Sequence, residues 1–234
     1  EDSIRSLQWN VHLRERPGMY IGKLGDGSEP DDGIYVLLKE VIDNSIDEFM
    51  RGYGRNIEVT IKDSQVSVRD YGRGMPLGKV IDCVARINTG GKFDDQAYDT
   101  AIGMNGVGVK AVNALSTMFF VSSVVNGKKK SARFSAGEIV EDFPICETDE
   151  HNGTFISFLP DDKLFENFHW YGEHVERLLW NYAYLNRGLT INFNGKKFVS
   201  KNGLLDLLHN NVSGEMLYEP IHLKDNDFEF ALVH

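Results

Sequence analysis

Apolar residues Ile34, Leu37, Leu38, Val41, Ile42, Ile46 and Phe49 recur at the three-to-four spacing of one helix face, with Ser45 on the same arc. The spacing predicts a helix over residues 34–51, and the chain is organised around it. At about 100° per residue, Glu40, Asn44, Asp47 and Arg51 form a polar stripe along one edge of that arc. Glu48 falls inside the arc, where a carboxylate needs a cationic partner because an unpaired buried charge is costly.

Before this helix, residues 1–15 predict a short amphipathic helix with Ile4, Leu7, Val11 and Leu13 inward. Pro17 and Gly18 stop it. Residues 25–33 read as a polar loop, with Asp31 or Asp32 as the cap of the long helix. After it the period changes from 3.6 to 2. Residues 57–61 and 66–70 alternate as strands around a turn. A helix follows over 77–86, and another over 109–115. Residues 119–125 and 131–135 predict a hairpin about Asn126-Gly127, and 154–158 a strand after Gly153. Residues 170–186 predict a helix with Val175, Leu178, Leu179, Tyr182 and Leu185 as its apolar stripe. A strand at 189–193 turns at Asn194-Gly195, and a short helix covers 204–209. Residues 228–233 alternate as a strand with no partner in view, which suggests a following domain.

A chain of 234 residues holds one large domain or two small ones. Hydrophobic content of 41% and charged content of 26% are ordinary for a globular protein. No apolar run reaches the length of a membrane span, and no signal-peptide pattern opens the chain. A net charge of −10 argues against this piece alone wrapping nucleic acid. The run Lys128-Lys129-Lys130 reads as a solvated hairpin. Cys83 and Cys146 form no framework or metal pattern, which fits a reducing, cytoplasmic setting. The seven histidines show no ligand spacing, and no nucleophilic triad stands out.

Against that background three features carry chemistry. Glu40 and Asn44 sit one helical turn apart, a pair suited to orienting a water and holding a hard metal ion; the same spacing fits a solvated acidic face. Asp70 ends a strand and leads into Tyr71-Gly72-Arg73-Gly74-Met75-Pro76. Facing a floor of Val41, Val68, Met75 and Ile156, it is well placed to accept a hydrogen bond from a planar base, although a plain hairpin exit has the same composition. Arg73 is the natural partner for Glu48. The third feature is the glycine box 103–108, which opens a helix with free backbone N–H groups suited to phosphate. Lys92 and Lys110 add local positive charge, and the polar stretch 94–100 reads as a mobile lid. The box follows a loop rather than a strand, so it is no dinucleotide fingerprint, and no Gly-Lys pair continues as a P-loop.

The set as a whole resembles the ATPase domain of bacterial type II topoisomerases, found in the B subunits of DNA gyrase and topoisomerase IV. It comprises Arg16-Pro17-Gly18-Met19-Tyr20-Ile21-Gly22, residues 40–48, Asp70-x-Gly-Arg-Gly-Met-Pro, Gly90-Gly91-Lys92-Phe93, residues 103–115 and Gly153-Thr154. Heat-shock-90 chaperones, mismatch-repair MutL proteins and sensor histidine kinases share the nucleotide fold. The form Gly-x-x-Gly-Val-Gly-x-x-x-Val-Asn-Ala-Leu favours topoisomerase over these, and Met75 and Ser45 lean towards topoisomerase IV.

The resemblance implies an α/β two-layer sandwich of a mixed sheet and helices, the Bergerat or GHKL ATPase fold, over residues 1–220. Residues 221–234 would begin a truncated transducer domain. It implies ATP and Mg²⁺ as ligands. Glu40 would be the general base and Asn44 the Mg²⁺ ligand. Asp70 would accept the adenine amino proton, with Thr154 assisting through water beside Ile156. Glu48 and Arg73 would form a salt bridge next to Gly74, Met75 and Pro76. Gly106, Val107, Gly108 and Val109 would offer amides to the phosphates, with Lys92 near the lid. A homodimer, a topoisomerase A-type subunit and DNA would be partners of the longer protein through absent domains, with no membrane involved. A chaperone or repair ATPase of the same superfamily, and a nucleotide-binding module without turnover, are the alternatives.

The chain departs from the pattern in places. Tyr71 replaces a second Asp, and Asn105 stands where His is usual. Ser131 falls where many members carry an Arg at the pocket mouth, with Arg133 two residues on. The connection after Pro76 is short and the N-terminal arm is largely absent. A fragment of this kind would bind nucleotide but dimerise and hydrolyse poorly.

Overall fold

The computed structural model describes residues 8–86, 106–214, 216–225 and 228–234. The long helix, α3 (Gly33–Met50), lies within a residue of its predicted bounds, and its residues Ile34, Leu37, Leu38, Val41, Ile42 and Ile46 are buried. Strands β1 (Asn56–Lys62) and β2 (Gln65–Asp70) form the predicted antiparallel hairpin, with Val59 opposite Val68. Helix α4 (Val80–Ala85) follows a single 3₁₀ turn, and α5 (Gly108–Ala114) follows the glycine box.

Strands β3 (Ser116–Val125) and β4 (Lys128–Ser135) turn at Asn126-Gly127, both at positive φ, as a tight two-residue hairpin requires. Then come β5 (Glu138–Asp142), β6 (Cys146–Glu147), β7 (Gly153–Pro160), α6 (Gly172–Leu185), β8 (Thr190–Phe193) and β9 (Lys196–Phe198). These strands form one mixed sheet in the order β5-β4-β3-β7-β2-β1-β8-β9, with β6 beside β4. Strands β1 and β8 run parallel, and the other pairs are antiparallel. Helices cover one face of the sheet. Val68, Ile156, Val121 and Ala132 lie in one row across β2, β7, β3 and β4 and face the helices. Helix α7 (Leu204–Asn211) and a separate hairpin, β10 (Ile221–Lys224) with β11 (Glu229–Leu232), complete the described chain. No helix among the described residues is long and apolar enough to cross a membrane.

Several expectations change. The terminal strand β11 has a partner in β10. Ile4 and Leu7 lie outside the described residues. In α1 (Trp9–Glu15) Leu13 is buried, but Val11 is half-buried and Asn10 takes the inward place, donating to Ala136 O and Glu138 Oε1. Pro17 ends α1 but also starts another helical turn, α2 (Gly18–Ile21), because its fixed φ suits a helix start. Asp32 occupies the N-cap position of α3 without capping it. Its buried carboxylate turns back to accept from the amides of Gly27 and Glu29 and pairs with Lys23 at 2.9 Å, so it orders the loop instead. Leu185 at the end of α6 is exposed. The hairpin carrying Lys128-Lys129-Lys130 is present, but only Lys128 is exposed; Lys129 and Lys130 are half-buried and pair with Glu150 and Asp142. Strands β5, β6 and β9 were unanticipated. β5 is exposed at every position and so lacks the burial alternation that betrays a strand.

Arg14 joins α1 to the layer that carries the site. It donates to the carbonyl of Ala114, at the end of α5, and pairs at 2.5 Å with the buried Asp161. Arg14→Met should destabilise the chain by about 2–4 kcal/mol, because it strands a buried carboxylate. Adding Asp161→Asn should recover part of that loss. Urea denaturation midpoints check both, and a midpoint unmoved by Arg14→Met would show the pair to be of no consequence.

Candidate nucleotide site

A cavity of about 610 Å³ opens between α3, α4, α5 and the ends of β2, β3 and β7. α3 contributes Glu40, Val41, Asn44, Ser45 and Glu48, spaced so that one helix edge faces the opening. Val68, Met75, Pro76 and Ile156 supply an apolar wall.

Asp70 sits at the end of β2, 7% exposed. Its Oδ1 accepts from the amides of Gly72 at 2.9 Å and Thr154 at 3.1 Å. Its Oδ2 receives the Ser45 hydroxyl at 3.4 Å. Burial pushes the Asp70 carboxyl above its ordinary range, against the pull of the two amides and of Arg69. Close approach at this corner depends on Gly153: at φ +135°, a Cβ there would lie 2.2 Å from the Asp70 carbonyl oxygen.

The predicted partner of Glu48 is present. Arg73 Nε and Nη2 donate to the two oxygens of Glu48 at 3.1 and 2.9 Å, and the Arg73 amide adds a third bond at 3.0 Å. Burial alone would push Glu48 up, but these bonds and the Arg73 and Arg51 charges hold it below the usual carboxylate range. The Arg73 guanidinium also lies 4.5 Å from the Tyr53 ring centroid. Ser123 Oγ donates to the Met75 carbonyl at 2.8 Å, fixing the same loop to β3.

Glu40 lies against the start of α5. A Cβ at Gly108 would fall 1.7 Å from Glu40 Oε2, so any larger residue there would make the carboxylate shift from this place. A helix N-terminus favours a negative charge at that place. Asn44 Nδ2 donates to the Glu40 carbonyl at 2.9 Å, which leaves its Oδ1 available as an oxygen ligand.

The cavity therefore brings together Glu40, Asn44, Glu48, Asp70 and Arg73 with Gly74, Met75 and Pro76. Gly106, Gly108, Val109, Thr154 and Ile156 complete the predicted set that lines it. Val107 does not line it; it is the N-cap residue of α5. Lys92 and the lid stretch lie outside the described residues. Ser131 and Arg133 are not at the cavity. Their neighbour Ala132 faces the helices, so strand alternation turns both to the other side of the sheet, where Arg133 pairs with Glu141 at 3.1 Å.

Sequence reasoning assigned Ser45 no role. Its signal was a hydroxyl placed inside a largely apolar arc. Lys110 is a second surprise: it is 2% exposed, lines the cavity, and turns its ammonium back onto the Gly106 carbonyl. Asp43, also lining the cavity, receives the Tyr182 hydroxyl, which locks α6 to α3.

Comparison with known proteins agrees with this fold. The family described as histidine kinase-, DNA gyrase B-, and HSP90-like ATPase matches residues 30–163. The B subunit of DNA topoisomerase 4 from Borreliella burgdorferi is 48% identical over 100% of this chain and 39% of its own length. The B subunit of the type 2 topoisomerase from Aquifex aeolicus is 37% identical over 79% of this chain and 24% of its own. The B subunit of DNA gyrase from Rickettsia conorii is 37% identical over 81% and 24%. The chain thus spans less than half the length of these relatives. Among solved structures, the 43K ATPase domain of Thermus thermophilus gyrase B, in complex with an aminocoumarin, superposes with a TM-score of 0.76 at 28% identity. That match covers 96% of this chain and 62% of that one. With a mixed sheet layered by helices and a matching profile over more than half its residues, the chain belongs to the histidine kinase-, DNA gyrase B- and HSP90-like ATPase family.

Proposed function

We propose that the chain is the ATP-binding and ATP-hydrolysing part of a type II DNA topoisomerase B subunit, with topoisomerase IV favoured over gyrase. The observation that carries the reading is one cavity holding both a buried, amide-cradled acceptor, Asp70, and a carboxylate, Glu40, against the first turn of α5. The higher identity to a topoisomerase 4 relative, 48% against 37%, supports the choice between the two.

In this reading Asp70 accepts from the adenine amino group, and Thr154 assists through water. Glu40 removes a proton from the attacking water. It lies five residues from Ser45 along α3, about 7.5 Å of helix rise, so one helix spans base recognition and chemistry. The amides of Gly106, Gly108 and Val109 face the phosphates. Asn44 Oδ1 would hold Mg²⁺, a hard ion that takes oxygen ligands. When bound, that ion spreads the charge of the phosphates. What remains for the chain is positioning and charge stabilisation. The Glu48–Arg73 pair keeps the 71–76 loop over the base site. Nucleotide-driven dimerisation, the A-type subunit and DNA are assigned to the longer protein. A cytoplasmic setting fits the two free cysteines.

Two predictions separate recognition from chemistry. Titration of the chain with a non-hydrolysable ATP analogue and Mg²⁺ should give binding that Asp70→Asn weakens by about 1.5–3 kcal/mol, the worth of a hydrogen bond to a charged group. The raised Asp70 pKa gives stability and affinity opposite signs. A carboxyl raised by burial favours the protonated fold, so the ligand-free chain gains stability as pH falls through the raised value and loses it as pH rises. Protonated Asp70 no longer presents a free acceptor, so affinity falls over the same interval. Asp70→Asn should accordingly keep or raise the melting temperature while losing binding. Unchanged affinity in this variant would remove Asp70 as the adenine acceptor.

In a longer protein containing this chain, Glu40→Gln should leave analogue binding intact and abolish hydrolysis. Steady-state phosphate release checks this, and undiminished turnover would exclude Glu40 as the base.

A further inference from the structure

We infer that Arg69, on the face of the sheet away from the cavity, is the positioning residue that holds the amide cradle of Asp70 closed, braced by Tyr71. The inference rests on the adenine reading of Asp70 and adds to it a second layer of residues behind the sheet.

Arg69 and Tyr71 flank Asp70 in sequence. Arg69 pairs with Glu58 on β1 and with Phe155 on β7, in the row next to the one that carries Val68 and Ile156. Its side chain therefore leaves the sheet on the side opposite Val68. There Arg69 Nη2 donates to the His151 carbonyl at 2.5 Å. The guanidinium lies 5.0 Å from the centroid of the Tyr71 ring, and the Tyr71 hydroxyl donates to Glu58 Oε1 at 2.9 Å. The Tyr71 ring also meets the His151 ring at 6.4 Å.

The other guanidinium nitrogen explains the corner. Arg69 Nη1 is buried and makes no hydrogen bond among the described residues. It lies 2.8 Å from the place where a side chain on Gly153 would begin. The guanidinium thus occupies space that Gly153 vacates, and it fastens residues 151–153 against the end of β2. Thr154, the next residue, supplies one of the two amides that Asp70 accepts. Gly72, next to Tyr71, supplies the other. Loss of Arg69 would free the 151–153 segment and let the Thr154 amide recede. It would also remove a positive charge directly behind the carboxylate.

Other charged groups surround Asp70. Glu40, Asp43, Asp47 and Glu48 face the cavity from α3, with Arg51 beside them, Arg73 on Glu48, Cys83 on α4 and Lys110 on α5. Glu58, Tyr71 and His151 stand on the far face with Arg69. Of these, Arg69 both favours the ionised carboxylate and touches the segment that supplies its cradle.

The test is calorimetric titration of the full chain with a non-hydrolysable ATP analogue and with ADP across the acid range. Arg69→Met should weaken the analogue about fivefold to tenfold, roughly one hydrogen bond, and move the acid limb of binding to higher pH. The ratio of analogue to ADP affinity, which cancels the adenine contribution, should not change. Arg69→Lys, which keeps the charge, should shift the limb less. Tyr71→Phe, which cuts the tie to Glu58, should shift it in the same direction by a smaller amount and carries the test if Arg69→Met does not fold. His151→Asn is the control for imidazole titration and should leave the limb in place. An acid limb that stays put in Arg69→Met, or in Tyr71→Phe and Arg69→Lys together, would overturn the inference while leaving the adenine reading standing. A wild-type chain that binds neither nucleotide would overturn both.

Discussion

A carboxylate taken out of water at the end of β2 sets the terms for the rest of the site. Ionised Asp70 is tolerable there only because two backbone amides and a hydroxyl point at it. Those donors come from the 71–76 loop, the start of β7 and the middle of α3. Each must arrive within hydrogen-bond reach of one side chain. That requirement explains why glycine stands at 153 and why the β2 and β7 backbones approach so closely. It also explains why Ser45, rather than a larger apolar residue, occupies that position on the buried arc of α3.

A second carboxylate on α3 shows the opposite solution. Glu48 is half-buried beside the same loop, yet it is held ionised by a bidentate guanidinium and a backbone amide. Burial dominates at Asp70, and charge pairing dominates at Glu48. The two groups end with pKa shifts of opposite sign although only one helix and one loop separate them. Glu40 sits in a third kind of place, beside the positive end of α5, where Gly108 carries no side chain in its way.

The parts of this arrangement that follow from local periodicity were readable in the sequence. The apolar arc of α3 and the period-two alternation of β1 and β2 are set by which side chains must leave water. The Glu48–Arg73 pair follows from the cost of a lone charge inside that arc. Elements whose order comes from partners rather than pattern were not readable. Strand β5 is exposed at every position and is defined only by its bonds to β4. Asp32 has the composition of a helix cap, but its carboxylate answers a tertiary demand from the amides at 27 and 29. Ser131 and Arg133 share one strand face, as the spacing required, but whether that face looks at the cavity depends on the register with β3.

The same dependence on register makes the back of the sheet part of the site. A strand one residue thick cannot hold a side chain rigidly on one face while its neighbours on the other face are free. Asp70 points towards the helices, and on the other face the side chains of Arg69 and Tyr71 add ties from β2 to the segment before β7 and to β1 beyond the backbone ladder. Rigidity at an acceptor matters more than affinity of any single bond, because a displacement of a few tenths of an ångström weakens each hydrogen bond in the cradle at once. The layer behind the sheet thus limits how well the layer in front can recognise a base.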